Sequence, residues 1–159
     1  FKTKTVNIPG VRRQLAEAFA VAGLDPQGRL EMRGQTKKHL DHLAMYREVD
    51  IALDTFHYTG TTTTCEALVM GSPVLTKTAA HHASRVSASI LTAVGRDDLI
   101  VDNDADYVAR AQALAEDIAT IREGRDALRN QFLTAPISDQ QDYGQRFMSM
   151  LRRVWRENC

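Results

Sequence analysis

Residues 54–68 read Asp-Thr-Phe-His-Tyr-Thr-Gly-Thr-Thr-Thr-Thr-Cys-Glu-Ala-Leu. They follow an apolar run at 49–53 and lead through Gly60 and a row of threonines into a helical pattern at 65–70. This order predicts a strand, a loop and a helix. Amide N–H groups at the start of such a helix, together with its dipole and neighbouring hydroxyls, form a site for phosphate or another anion. The stretch therefore predicts binding of a nucleotide diphosphate.

Glu66 lies one turn into the predicted helix. A carboxylate there is favourable, and it can accept hydrogen bonds from ribose hydroxyls as the acidic residue of a dinucleotide fold does. The same residues also fit a helix without a ligand, in which Thr62 or Thr63 is the N-cap and Glu66 supports the first turn. The stretch matches neither the Walker loop nor GxGxxG. Both interpretations stay open at this point.

The composition is typical of one soluble globular domain. The chain has 159 residues, enough for a sizeable core. Its 20 lysines and arginines balance 20 aspartates and glutamates, so no net charge indicates nucleic acid or a membrane surface as a partner. No apolar run approaches the ~18 residues of a membrane span, and no signal peptide opens the sequence. We therefore expect a cytoplasmic protein that binds neither nucleic acid nor membrane.

Cysteine and histidine give no sign of a metal site. Cys65 in a predicted helix and Cys159 at the C-terminus do not make a disulfide framework or a metal cluster. The histidines lack the i, i+4 spacing with a carboxylate that zinc hydrolases show. We predict no metal and no other cofactor. Because the sequence begins with Phe1 in what looks like a strand, we also expect a piece of a longer chain.

Strands and helices alternate along the sequence. We predict strands at 3–8, 29–33, 49–53, 74–76 and 98–101, with a turn at 25–28. We predict helices at 11–22, 36–46, 65–70, 83–94, about 104–133 and 142–156. The last helix is amphipathic, and we expect its large apolar residues to face inward; they are Phe147, Leu151, Val154 and Trp155.

This alternation predicts an α/β fold with a doubly wound parallel sheet, because right-handed crossovers cover both faces of such a sheet with helices. Ligands of these sheets bind beyond the carboxyl ends of the strands. The loop at 54–64 lies at such an end. Fold and local chemistry therefore agree on this loop as the functional one.

Several segments together resemble the O-linked N-acetylglucosaminyltransferases, a family that includes the SPINDLY-type enzymes. They are His-Leu-Ala-Met-Tyr at 42–46, Val-Asp-Ile-Ala-Leu-Asp at 49–54, the loop and helix at 56–68, Met-Gly-Ser-Pro-Val at 70–74 and Ala-Ser-Arg-Val at 83–86. The resemblance covers nearly the whole chain. It implies that residues 1–159 form the C-terminal, donor-binding, Rossmann-like lobe of a GT-B glycosyltransferase.

The resemblance also implies partners. The donor would be a nucleotide-sugar, UDP-N-acetylglucosamine, and the acceptor a serine or threonine of a protein, attacked with inversion and without a metal. A second catalytic lobe and a tetratricopeptide array would precede this lobe in the parent chain. We expect the catalytic base in that second lobe, so the catalytic residues of this chain stay unknown, and we expect the isolated lobe to be inactive.

By the same resemblance, particular residues contact the donor: Thr61, Thr62, Thr63, Thr64, Gly60, Glu66, His42 and His39. Amides and hydroxyls of 61–63 would hold the pyrophosphate. Glu66 stands where the family binds the ribose. His42 stands where it has a histidine beside the uracil or the pyrophosphate, and His39 occupies a position that often carries a basic residue.

The chain departs from the family pattern at two places. Bacterial members often read Asn-Gly-Gly-Thr-Thr-Thr in the central loop, where this chain has Thr59 and Thr61 in place of the first and third residues. The loop after the fourth predicted strand usually holds a glycine and an acidic or polar residue, and here it reads Thr-Ala-Ala-His-His at 78–82. These departures leave two alternatives open: a GDP-sugar such as GDP-fucose as donor, and a non-catalytic nucleotide-binding or scaffold module.

Overall fold

A computed structural model describes residues 2–25 and 27–158 of the chain. Phe1, Pro26 of the predicted turn and Cys159 lie outside the described residues. The chain forms two compact units, Phe1–Ala44 and Met45–Cys159. The prediction of a single lobe over the whole length stays a prediction.

The first unit is helical. A short 3-10 helix, Lys4–Asn7, precedes α1 (Pro9–Val21), and α2 (His39–Ala44) ends the unit. Proline at the first position of α1 is favourable because its missing N–H would have no intrahelical partner there. The predicted helix at 11–22 is thus confirmed, with a start two residues earlier.

The second unit contains a parallel sheet in the order β1-β2-β3, formed by β1 (Ala52–Leu53), β2 (Val74–Lys77) and β3 (Ile100–Val101). Between the strands lie α3 (Thr62–Val69) and α4 (Val86–Val94), so each connection is a helical crossover. The remaining helices follow β3: α5 (Asp104–Glu116), α6 (Ile118–Glu123), α7 (Arg125–Thr134) and α8 (Gln140–Asn158). The predicted α/β fold with parallel strands is confirmed.

The hydrophobic core of the second unit lies among α3, α4 and α7. Its buried members are Leu68, Ile90, Leu91, Val94, Leu99, Leu128 and Ala135. Leu75 of β2 is also fully buried. Burial of each such leucine stabilises the fold by about 1.5–3 kcal/mol, and Leu68 places the last turn of α3 in this core.

Polar contacts join the end of α6 and the start of α7 to the segment before β1. Arg122 donates two hydrogen bonds of 2.8 Å to the carboxylate of Asp50. Arg125 donates to the carbonyl oxygens of Tyr46 and Val49. The hydrogen bonds from Arg122 are the main reason that the pKa of Asp50 is held below its usual value.

Two predicted strands of the first unit are wrong. Residues 3–8 form the 3-10 helix and the entry to α1, and 29–33 contribute a single parallel bridge between Lys2 and Arg33. β-branched composition is a weak signal because strand propensity depends on the pairing and burial that a position finds. Pro9 opens a helix here, although it also fits the end of a strand.

The C-terminal helices also differ from expectation. The helix predicted at about 104–133 is divided into α5, α6 and α7, because Asp117 has φ −121° and ψ 42° and Gly124 separates the last two. The helix predicted at 142–156 is present as α8, but its apolar residues do not face inward. Phe147, Leu151, Val154 and Trp155 are 44–70% exposed, and no described element buries them.

Gly71 gives a first prediction. It has φ +75°, and a Cβ atom there would lie 2.5 Å from the carbonyl oxygen of Arg125. We expect Gly71→Ala to lower the free energy of unfolding by more than about 1 kcal/mol, because backbone strain and a steric clash act together. Gly144→Ala in α8 is the control, since nothing lies within 4 Å of its Cβ position. Urea denaturation that ranks the two variants equally would contradict this account.

Asp50 gives a prediction on pH. Its folded pKa is lowered chiefly by Arg122, so its contribution to stability is present above the unfolded pKa of about 3.9 and is lost as pH falls through the folded value. We expect Asp50→Asn to be less stable than the wild type at pH 7. The difference should shrink as urea denaturation is repeated at falling pH below about 4. A difference that does not change with pH would contradict the ion-pair assignment.

Candidate functional site

The start of α3 lies at the carboxyl end of β1. We call residues 60–64 the threonine turn. Thr61 is the residue before the helix, with φ −121° and ψ −81°, and in the described structure its side chain makes no capping hydrogen bond. The amide of Cys65 donates to the carbonyl of Thr61 at 3.2 Å. The amides of 62–64 precede this bond, and such N–H groups have no partner within their own helix.

The threonines of the turn differ in exposure. Thr61, Thr62 and Thr63 are exposed, whereas Thr64 is buried with only 3% of its surface accessible. Glu66 is half-buried. The predicted site residues of the second unit are therefore brought together at one helix end, with three hydroxyls on the outside and one on the inside.

Asp54 organises the loop that leads to the turn. Its Oδ1 accepts the amide N–H of Gly60 at 2.9 Å and that of Thr55 at 3.1 Å. Its Oδ2 accepts the hydroxyl of Thr76 at 2.8 Å, which ties the loop to β2. Both carboxylate oxygens of Asp54 are thus committed to the fold.

Tyr107 of α5 also contacts Asp54, through the backbone carbonyl of Asp54. The Tyr107 hydroxyl donates to the carbonyl oxygen of Asp54 at 3.0 Å. Burial, followed by the charge of Asp54, raises the pKa of Tyr107 to about 12. The phenol therefore stays protonated near neutral pH and keeps its donor role. The ring of Phe56 packs edge-on against Tyr107, with ring centres 4.7 Å apart.

Gly60 is required by its two neighbours in the turn. A Cβ atom at this position would lie 2.5 Å from Oγ1 of Thr64 and 2.6 Å from Oγ1 of Thr63. Such distances are far inside van der Waals contact, so no other residue fits without moving both hydroxyls. The absence of a side chain allows the threonines to close over the backbone.

Thr59, a departure from the family pattern, has a structural role. It is 1% exposed. Its hydroxyl donates to the carbonyl oxygen of Ala83 at 2.9 Å, and its amide donates to the same oxygen at 3.0 Å. The loop is thereby fixed to the segment before α4.

Tyr46 holds the other side of α3. Its hydroxyl donates to the carbonyl oxygen of Thr63 at 3.2 Å. Burial, followed by the negative charge of Glu66, raises the pKa of Tyr46 to about 12. Tyr46 and Glu66 thus share the side of α3 where the ribose role was predicted.

An open cleft of about 620 Å³ begins at the threonine turn and follows α4. Thr61, Cys65, Thr78, His82 and Arg85 line its polar part. The cleft therefore joins the two places where the chain departs from the family pattern. Burial raises the pKa of the Cys65 thiol, which disfavours the thiolate form that a nucleophilic cysteine uses.

His39 and His42 lie in α2 of the first unit. Their ring centres are 6.2 Å apart, and the ammonium of Lys2 hydrogen-bonds to Nδ1 of His42. The donor-contact roles given to these histidines stay predictions, as do those of the other site residues.

Sequence reasoning missed several residues that shape the site. From the sequence, Asp54 is only the end of a strand, and Thr59 only a departure from the family pattern. An acidic residue directly after a buried strand is a usable signal, because its side chain meets the loop amides there. Ser87, a small polar residue within the apolar stretch of α4, gives a weaker signal.

Residues 2–25 and 27–158 contain no group of three or more histidine, cysteine or acidic side chains placed to hold a metal ion. In the same residues, no helix has the length and apolar character needed to cross a membrane.

Comparison with known proteins identifies the family. The model of glycosyl transferase family 41 matches residues 13–147. The probable UDP-N-acetylglucosamine–peptide N-acetylglucosaminyltransferase SPINDLY of Oryza sativa is 35% identical over 99% of this chain, and that of Arabidopsis thaliana is 32% identical over the same share. The chain spans 17% of the length of these relatives.

A solved structure agrees with this match. A mutant O-GlcNAc transferase of Thermobaculum terrenum superposes with a TM-score of 0.89 at 32% identity, over 98% of this chain and 30% of that one. The resemblance inferred from the central loop and its flanking segments is thus confirmed, and the chain belongs to glycosyl transferase family 41.

Proposed function

We propose that this chain is the donor-binding lobe of an inverting protein O-glycosyltransferase and that its donor is UDP-N-acetylglucosamine. The observation that carries the proposal is the start of α3, where exposed Thr61, Thr62 and Thr63 surround amides that precede the first intrahelical hydrogen bond. Such a helix end binds phosphate. The names of the relatives supply the nucleotide and the sugar.

The threonine turn then acts on the leaving group. Negative charge grows on the diphosphate as the bond between the sugar and the phosphate oxygen breaks. Donors that are already in place stabilise this charge more in the transition state than in the ground state. The contacts of Asp54 with Gly60 and Thr76 keep the turn in place before the donor arrives. In this proposal the role of the turn needs no metal.

The rest of the reaction lies outside this lobe in our proposal. A serine or threonine of a protein acceptor attacks the anomeric carbon, and the general base comes from a second catalytic lobe of the parent chain, which also carries tetratricopeptide repeats. We place the protein in the cytoplasm because its few cysteines suit a reducing compartment. The lobe alone is expected to bind donor without transferring sugar.

Nucleotide titration followed by thermal melting tests the proposal. At about a hundred times the dissociation constant, UDP should stabilise the fold by roughly 2.7 kcal/mol, which raises the melting temperature by about 5–10 °C. Uridine should have little effect, because it lacks the diphosphate that the helix end binds. A preference for GDP would redirect the donor toward a GDP-sugar such as GDP-fucose.

The double variant Thr62→Ala/Thr63→Ala locates the binding. Hydrogen bonds to a charged group contribute about 1.5–3 kcal/mol each, so losing both hydroxyls should weaken UDP binding by at least about tenfold. Thr120→Ala is the control, since Thr120 is an exposed helical threonine of α6 in the same unit. Unchanged UDP affinity in the double variant would rule out this turn. If no nucleotide raises the melting temperature of the wild type, the result would favour the non-catalytic module.

A further inference from the structure

Ser87 joins α4 to both ends of the threonine turn. It is fully buried in the first turn of α4. Its hydroxyl donates to the carbonyl oxygen of Gly60 at 2.9 Å and lies 2.8 Å from the hydroxyl oxygen of Thr64. Its amide donates a long hydrogen bond of 3.4 Å to Oγ1 of Thr59. One residue of a neighbouring helix thus contacts the loop before the turn, its first residue and its last.

The directions of these hydrogen bonds follow from the groups involved. A carbonyl oxygen only accepts, so the single hydroxyl proton of Ser87 is used on Gly60. The contact with Thr64 must therefore be donated by the Thr64 hydroxyl. The proton of Thr64 is committed inside the protein, which sets this residue apart from the three exposed threonines before it.

Gly60 is committed in the same way. Its amide donates to Asp54 and its carbonyl accepts from Ser87. Both polar groups of this residue are used, so the donors left for a ligand at the turn are the hydroxyls of 61–63 and the amides of 62–64. The inner side of the turn has its hydrogen bonds satisfied by the protein, and the outer side faces solvent.

We propose that Ser87 is a positioning residue that holds the threonine turn, through Gly60 and Thr64, in the conformation that presents its amides to a phosphate. This inference rests on the proposed function for its ligand and on the hydrogen bonds above for its geometry. A turn fixed beforehand binds more tightly because less conformational freedom is lost on binding.

Ser72 offers a matched comparison. It is also fully buried, and its hydroxyl contacts the carbonyl oxygens of Tyr46 at 3.1 Å and Val49 at 3.0 Å and accepts a long hydrogen bond of 3.5 Å from Arg125. Removing either hydroxyl takes away at least two hydrogen bonds from the same unit. Only Ser87 contacts the threonine turn among these two serines, so the pair separates positioning from general stability.

The test compares Ser87→Ala with Ser72→Ala by amide hydrogen exchange, measured without ligand by NMR. The informative amides are those of Thr59, Gly60 and Cys65, which donate hydrogen bonds within or beside the turn. In Ser87→Ala their exchange should be at least about tenfold faster relative to the buried amide of Leu91. In Ser72→Ala that ratio should change less than about twofold. Equal ratios in the two variants would overturn the inference.

A second pair of variants removes the dependence on one substitution. Thr64→Val deletes the hydroxyl donated to Ser87 while keeping the shape of the side chain, and Thr64→Ser keeps the hydroxyl. We expect faster exchange at Gly60 in the valine variant and near wild-type exchange in the serine variant. If Ser87→Ala does not fold, the two Thr64 variants still test the inference. Equal exchange at Gly60 in both of them would overturn it.

UDP affinity separates the inference from the proposed function. Ser87→Ala should weaken UDP binding at least about fivefold, and Ser72→Ala less than about twofold. If the wild type binds no nucleotide while Ser87→Ala still loosens the turn, the proposed function fails and the positioning role of Ser87 stands. If the wild type binds UDP and both serine variants bind and exchange alike, the proposed function stands and the positioning role is overturned.

Discussion

The site depends on the hydrogen bonds that the carboxylate of Asp54 accepts. This carboxylate accepts the amide of Gly60 on one oxygen and the hydroxyl of Thr76 on the other. Asp54 is half-buried, and without these donors its carboxylate would be a charge without hydrogen bonds, which destabilises the fold. The end of β1, the middle of β2 and the start of the threonine turn are therefore held in one arrangement, and the helix end that follows is positioned by the sheet.

The sequence predicted this part of the fold well. A near-continuous apolar run before a loop, followed by a helix with early hydroxyls, leaves little freedom in a parallel α/β unit, although only Ala52–Leu53 of the strand predicted at 49–53 form β1. The first unit was harder. Residues 3–8 carry β-branched side chains, yet Pro9 begins α1, and among the described residues of the first unit the pairing is one bridge between Lys2 and Arg33. Pairing across the chain, which local composition does not report, decides whether such a segment becomes a strand.

Side-chain roles at the turn show the same limit. From composition, the four threonines at 61–64 are equivalent, and all were assigned to the donor. The structure separates them, because Thr64 is buried against Ser87 while its three predecessors are exposed. The partner that makes the difference lies on another helix, 23 residues along the chain.

The apolar face of α8 is a similar case. The sequence predicts its helical period, but the exposure of its side chains depends on which neighbouring elements cover them.

Thr61 is the residue before α3, and its side chain makes no capping hydrogen bond in the described structure. Threonine is a good N-cap, and a missing cap costs a helix roughly 0.5–2 kcal/mol. Thr61 nevertheless makes no capping bond to the described residues and lines the cleft beside α4. Every polar group of Gly60, by contrast, is satisfied by Asp54 or Ser87. Natural proteins break local rules of this kind mainly at functional sites. A turn that is hydrogen-bonded on its inner side and uncapped on its outer side is the arrangement that the proposed anion site requires.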